Sequence, residues 1–244
     1  MKQLSSNSLL KMIAIITLIL ILSIAVNIYS IVRLNKLETN YDELKVSIEQ
    51  SNEANQKVLE MLKEVRDAQK KQNEMMQLAE TKRKESISLM KSNGFNEYSD
   101  LAEYKDMSVE DMDKIIDYYD SHINGGTPFK GKGYVFVQAS KETGLNPIYI
   151  FSHAVVESGF GKSYLAQTRH NYFGINAVDS NPENAYSMGD SIDSGIINGA
   201  HWIKETYYEN GYTNLYSMKK AGYASDSEWY EKISEVANDS IELL

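Results

Sequence analysis

Asn146-Pro147-Ile148-Tyr149-Ile150-Phe151-Ser152-His153-Ala154-Val155-Val156-Glu157-Ser158-Gly159-Phe160-Gly161 is the stretch that decides the fold. Asn146 has the side chain of a helix N-cap, and Pro147 suits the first turn, where a missing N–H is harmless. Ile148 to Val156 is almost wholly apolar and has no polar stripe. A helix that is apolar all round belongs in the middle of a domain. Glu157 ends it, and the glycines that follow turn the chain.

Working outward, the same start and stop signals recur. Upstream, Tyr134–Thr143 reads as a helix closed by Gly144, and Ser108-Val109-Glu110-Asp111 can cap a helix running to His122. Downstream, helices are expected over Ser191–Glu209, ending at Gly211, and over Asp226–Ile241. Between Asn171 and Met188 the helical period fails, and short aromatic and polar runs suggest a small hairpin lobe. The expectation for residues 93–244 is a mostly α domain with a small β-lobe, large enough for its own core.

The first third of the chain is different in kind. Met12 to Val32 carries no charge and is bracketed by Lys11 and Arg33. As a helix it covers roughly 30 Å, the hydrocarbon thickness of a bilayer. The rival is a cleavable signal peptide with Ser23-Ile24-Ala25 as its cleavage site, but apolar residues continue through Val26, Ile28 and Ile31. The expected order is a cytoplasmic tail at 1–11, a single-pass anchor at 12–32 in the lipid bilayer of the cell membrane, and a stalk at 33–92. The C-terminal domain then lies outside. The stalk has no Pro or Gly, and Leu34, Leu37, Tyr41, Leu44 and Ile48 begin a stripe with coiled-coil spacing. Polar seam residues such as Asn55 and Gln69 loosen it. Self-association into a homo-oligomer is one reading of the stalk; a single polar helix is the other.

The formal net charge of −9 argues against a nucleic-acid binder, and with no cysteine there is no disulfide framework or Cys-ligated zinc. His153 and Glu157 are four apart on one helix face, but the zinc-protease pattern needs a second histidine. His153 is therefore expected to be packed or hydrogen-bonded near the site. Glu157 is the candidate for chemistry. A carboxyl at the mouth of an apolar helix is partly desolvated, which keeps it protonated near neutral pH, as a general acid for glycosidic cleavage requires. Aromatic residues crowd the last third of the chain. Flat rings of this kind can stack on sugars, although most are expected to fill the core.

Six stretches follow one another in the order of a known family. Gly131-Lys132-Gly133-Tyr134-Val135-Phe136, Gly144-Leu145-Asn146-Pro147 and Ser152 through Ser163 resemble the glucosaminidase domain of glycoside hydrolase family 73. Asn171-Tyr172-Phe173-Gly174-Ile175 resembles its N-x-F/Y-G-I segment. Gly199-Ala200-His201-Trp202-Ile203 and Tyr223-Ala224-Ser225-Asp226 resemble its later motifs. The resemblance implies a lysozyme-like fold and hydrolysis of the N-acetylglucosaminyl-β-1,4-N-acetylmuramyl bond of bacterial peptidoglycan. It places Glu157 on the catalytic glutamate and Tyr223 at the cleavage site. Asn171, Tyr172 and Phe173 would border the groove on the lobe side, with Trp202 and Asp226 also in contact with substrate. Asp226 is in addition placed to cap the last helix. No cofactor is implied. Asp179, Glu183, Asp190 and Asp193 are the candidates for a second carboxylate, and the substrate's own acetamido group is the alternative. A muramidase, a lytic transglycosylase and a non-catalytic wall-binding protein are the competing functions.

Overall fold

The computed structural model describes residues 6–177 and 185–244. It forms two compact units, Met1–Asn73 and Glu74–Leu244. Helix α1 (Ser6–Asn93) supplies every described residue of the first unit, and its last turns belong to the second. In the first unit the apolar side chains from Leu10 to Val32 are all exposed. Among the described residues one helix is long and apolar enough to cross a membrane, a test that a signal sequence also passes.

The second unit begins within α1, ahead of the domain start expected at residue 93. Ser86 and Met90 of α1 are buried, and Arg83 Nη1 donates to both carboxylate oxygens of Asp111 at 2.9 and 2.8 Å. Asp111 belongs to the capping box that Ser108 builds at the start of α2 (Val109–His122). After α1 the chain is tied to the last helix by Asn238, which accepts from Phe95 N at 2.7 Å and donates to Phe95 O at 2.8 Å.

The central helices form where their end signals lie. Helix α3 (Gly133–Thr143) closes on Gly144 in the left-handed region. Helix α4 (Pro147–Ser158) starts at Asn146, whose side chain accepts from Ile148 N and Tyr149 N. Every residue of α4 from Pro147 to Val155 is buried, and each large apolar side chain contributes about 1.5–3 kcal/mol relative to leaving it in water. Around it stand α3, α8 (Trp229–Glu242) and, across α3, α6 (Ile192–Thr206). The mostly α expectation holds, with Ser191–Glu209 resolving into α6 and a short 3-10 turn at Tyr208–Asn210.

Two details differ from the sequence reading. The expected lobe between Asn171 and Met188 contains no strand among the described residues; its residues 178–184 lie outside them. Asn171 takes the place of a ladder there. Its side chain donates to Ile175 O and Tyr186 O, at 2.8 and 3.0 Å, and accepts from Ile175 N. Two six-residue helices, α5 (Tyr164–Arg169) and α7 (Leu215–Lys220), were not read from sequence. They are too short to show a hydrophobic period. In α6, Gly195 and Gly199 let the 170–173 segment lie directly on the helix. A Cβ at Gly199 would stand 2.1 Å from Phe173, and one at Gly195 2.3 Å from His170 O.

Candidate active site

Glu157 occupies the last turn of α4, where the apolar run ends, and its side chain keeps 20 % of its exposure. It lines a groove of about 930 Å³. One wall is the start of α5, with Tyr164 and Leu165; the other is Gly222–Asp226 together with Trp229 and Lys232 of α8. Gly174, Ala177, Gly222 and Tyr223 also line a smaller adjoining cavity of about 350 Å³, where Tyr186, Trp202 and Tyr207 stand. An aromatic end and an acidic middle thus share one cleft.

The two oxygens of Glu157 have different surroundings. Oε1 accepts from Trp229 Nε1 at 2.5 Å and has His153 Nε2 at 3.8 Å. Oε2 lies over Gly174: a Cβ there would meet it at 2.7 Å, and Gly174 has φ +64° besides. Burial lifts the Glu157 carboxyl above the ordinary carboxylate value, and the nearby Asp226 charge adds to the rise. The Trp229 N–H opposes it by stabilising the ionised form. His153 is fully buried, and burial alone pushes its imidazole down to about 3, so it is neutral.

Tyr223 closes this layer from above. Its ring lies 5.1 Å from that of Trp229 and 4.9 Å from that of His153. Its hydroxyl donates to Phe173 O at 2.7 Å, which fastens the lobe segment to the segment before α8. Burial and the Glu157 charge hold the phenol well above its usual value, so it stays a neutral donor.

Comparison with known proteins bears on the family of the chain. Residues 133–241 match the family model described as glucosaminidase, mannosyl-glycoprotein endo-β-N-acetylglucosaminidase. A Streptococcus pneumoniae protein assigned as an endo-β-N-acetylglucosaminidase is 35 % identical over 142 residues, which is 57 % of this chain and 21 % of that one. Staphylococcus aureus autolysin E in complex with the muropeptide NAM-L-Ala-D-iGlu superposes with a TM-score of 0.52 at 30 % identity, covering 64 % of this chain and 76 % of that one. The chain belongs to the glucosaminidase family, glycoside hydrolase family 73. A catalytic mutant of the same autolysin in complex with the disaccharide NAG-NAM superposes equally well, at 29 % identity over 64 % of this chain and 77 % of that one. This chain spans about a fifth of the length of the pneumococcal relative.

Of the family segment, Asn171 and Gly174 line the groove and Ile175 lines the adjoining cavity, whereas Tyr172 and Phe173, contrary to expectation, line neither. The Asn171 amide is buried and held by the loop backbone, so it shapes the groove wall and offers no free polar atom. Tyr172 is buried with its ring 5.1 Å from Phe129, and it lines a separate cavity beside Thr127 and Gln167. Phe173 is fully buried against His153, at 5.5 Å between centroids, and only its carbonyl is used, by Tyr223. Trp202 does line the cleft, half-buried against Tyr207 at 5.7 Å.

Asp226 lines the groove but does not cap α8. Its Oδ1 accepts from Glu228 N at 3.0 Å, and Oδ2 pairs with Lys232 at 2.7 Å, while α8 starts three residues later. Asp193 is held by Lys132, at 2.6 Å, and by the Tyr134 hydroxyl; Asp190 is exposed beside Ser194. Neither lines the groove, and Asp179 and Glu183 lie outside the described residues. Trp229 and Gly174, both in contact with Glu157, were not among the expected site residues. Trp229 reaches the carboxylate from 72 residues away, with no local signal to mark it.

Proposed function

We propose that the protein is a membrane-tethered peptidoglycan hydrolase that cleaves the N-acetylglucosaminyl-β-1,4-N-acetylmuramyl bond with Glu157 as general acid. The observation that carries the reading is the Glu157 carboxyl, which is lifted by burial and lines a groove of about 930 Å³. A carboxyl whose pKa is raised holds its proton to higher pH and can deliver it to the glycosidic oxygen as the bond breaks. The complexes of autolysin E with NAG-NAM and with a muropeptide support the substrate class. Trp202, Tyr186 and Tyr207 supply flat faces for pyranose rings in the adjoining cavity.

Tyr223 works from the edge of the site: it fastens Phe173 and stacks over the layer that holds Glu157. For the second group we favour the substrate's acetamido oxygen. The carboxylate nearest to hand, Asp226, is exposed and paired with Lys232. Residues 12–32 anchor the protein and residues 33–92 carry the domain outward, so the enzyme acts on membrane-proximal glycan. Basic residues flank the apolar run on both sides, Lys11 before it and Arg33 after it, and do not set its orientation; the N-terminus is placed inside because the substrate lies outside.

The test is a digest of purified peptidoglycan by the full chain in detergent, beside Glu157→Gln, with new reducing ends read by mass spectrometry after reduction. Reduced N-acetylglucosamine termini from the wild type alone are expected. Muramic or anhydro-muramic termini would overturn the bond assignment, and no cleavage would overturn the enzymatic reading. Recovery of the uncleaved chain in the carbonate-resistant membrane fraction checks the anchor.

A further inference from the structure

His153 lies one helical turn before Glu157 on α4 and is wholly enclosed. Phe173, Tyr223 and Trp229 ring it at centroid distances of 5.5, 4.9 and 5.4 Å. Its Nδ1 meets the Tyr149 hydroxyl at 2.9 Å. Its Nε2 has no hydrogen-bond partner among the described residues and faces Glu157 Oε1 at 3.8 Å. A neutral imidazole has one N–H and one lone pair, and the contact at one nitrogen fixes the other. The Tyr149 hydroxyl has two acceptors in reach, Nδ1 and, at 3.6 Å, Met218 Sδ. A thioether is the weaker acceptor, so the hydroxyl donates to Nδ1 and the imidazole proton sits on Nε2.

Oε1 of Glu157 therefore has N–H groups on its side, from Trp229 and from His153. A protonated oxygen is poorly placed among donors, whereas none of the described residues donates to Oε2 over Gly174. We infer that His153 is a positioning residue: its Nε2–H faces Oε1 and so keeps the proton of the acid on Oε2, toward the sugar. The inference rests on the proposed acid role of Glu157. When the proton leaves Oε2 for the glycosidic oxygen, the O–H electron pair stays on the carboxylate. The charge spread onto Oε1 then meets the Trp229 and His153 N–H groups. The other titratable groups packed around the pair are Tyr149 on α4, Tyr223 and Asp226 from the segment between α7 and α8, and Lys232 on α8. Both phenols are neutral, and Asp226 and Lys232 pair with each other at 2.7 Å.

The full chain with 15N-labelled histidine, in detergent micelles, tests the tautomer directly, the His153 signals being assigned by their loss in His153→Gln. A pyridine-type Nδ1 and a pyrrole-type Nε2, unchanged between neutral pH and about pH 4, are expected, since the imidazole titrates only near 3. An Nδ1–H tautomer or an imidazolium in that range would overturn the inference. The Glu157 carboxyl is then followed with 13C-glutamate, identified by Glu157→Gln. Its midpoint should rise by roughly half a unit or more in His153→Phe, which removes a donor to the charged form. It should rise less in Tyr149→Phe and return toward wild type in His153→Gln, whose amide keeps an N–H. In hydrolysis, His153→Phe should lower kcat roughly tenfold with KM within about twofold. An unmoved Glu157 midpoint in His153→Phe, or in Tyr149→Phe where the first variant does not fold, refutes the role. The spectra need no turnover, so a wild type that cleaves nothing would overturn the acid reading while the tautomer result still stands or falls separately.

Discussion

Trp229→Phe removes one atom group of consequence, the Nε1–H that reaches Glu157 Oε1 at 2.5 Å. The phenyl ring retains most of the packing against Tyr223 and His153, which lie 5.1 and 5.4 Å from the indole. A hydrogen bond to a charged group contributes about 1.5–3 kcal/mol. Glu157 keeps 20 % of its side-chain exposure, so water replaces part of the loss and the lower end applies. At about 1.4 kcal/mol per pKa unit, this is a shift of roughly one unit. The sign follows from which form the N–H favours. It stabilises the carboxylate and opposes the rise caused by burial, so its removal lifts the carboxyl further. An enzyme that needs Glu157 protonated loses activity as pH rises through that value, so the basic limb of kcat/KM should move up by about one pH unit. The carboxylate formed in the transition state also loses a donor, and kcat at the optimum should fall roughly tenfold. The assay is release of dye-labelled peptidoglycan fragments by the full chain in detergent across the pH range, with thermal melts as the check on folding. A basic limb that stays in place, or moves down, in a folded variant refutes the reasoning.

Two further substitutions probe the contacts around the carboxyl. Gly174→Ala forces a Cβ to within 2.7 Å of Glu157 Oε2 at a residue with φ +64°; the backbone term alone is about 1–2 kcal/mol. Turnover should drop at least about tenfold for a modest fall in Tm, and turnover equal to wild type would show that Oε2 has freedom to move. Tyr223→Phe removes the O–H bonded to Phe173 O at 2.7 Å, worth about 1 kcal/mol. A loss within about tenfold, with melting slightly lowered, is expected of a residue that fastens the loop; a loss beyond about a thousandfold would put the hydroxyl in the chemistry.

The helices were legible where the chain carries its own punctuation. Asn146-Pro147 begins α4, Ser108 builds its capping box with Asp111, and Gly144 closes α3, all through bonds made within four residues. The same locality explains the failures. The short α5 and α7 exist because Ser163 and Asn214 cap them in place, and six residues hold too little periodicity to show in a pattern. Asp226 carried the composition of a cap, yet Lys232 and the Glu228 amide hold its side chain ahead of α8. At Asn171–Phe173 the residue types suited a sugar groove, but the paired glycines of α6 draw the segment inward and bury its side chains.

The position of Glu157 could be read from sequence because the apolar run of α4 stops there, but its electrostatic setting could not. Burial comes from α4 itself, the Oε1 donor from Trp229 on α8, the space over Oε2 from Gly174, and the cover from Tyr223, whose hydroxyl ties two of these segments together. The contributions of Trp229, Gly174 and Tyr223 are contacts between segments separate from α4 in the chain. Tyr149, His153 and Glu157 are the exception, spaced by four along one helix face. That spacing is visible in the sequence, but it fits a metal pair, a core stripe or a proton-positioning row equally well. The Tyr149–His153 contact at 2.9 Å and the unpartnered Nε2 turned to Oε1 distinguish the last of these.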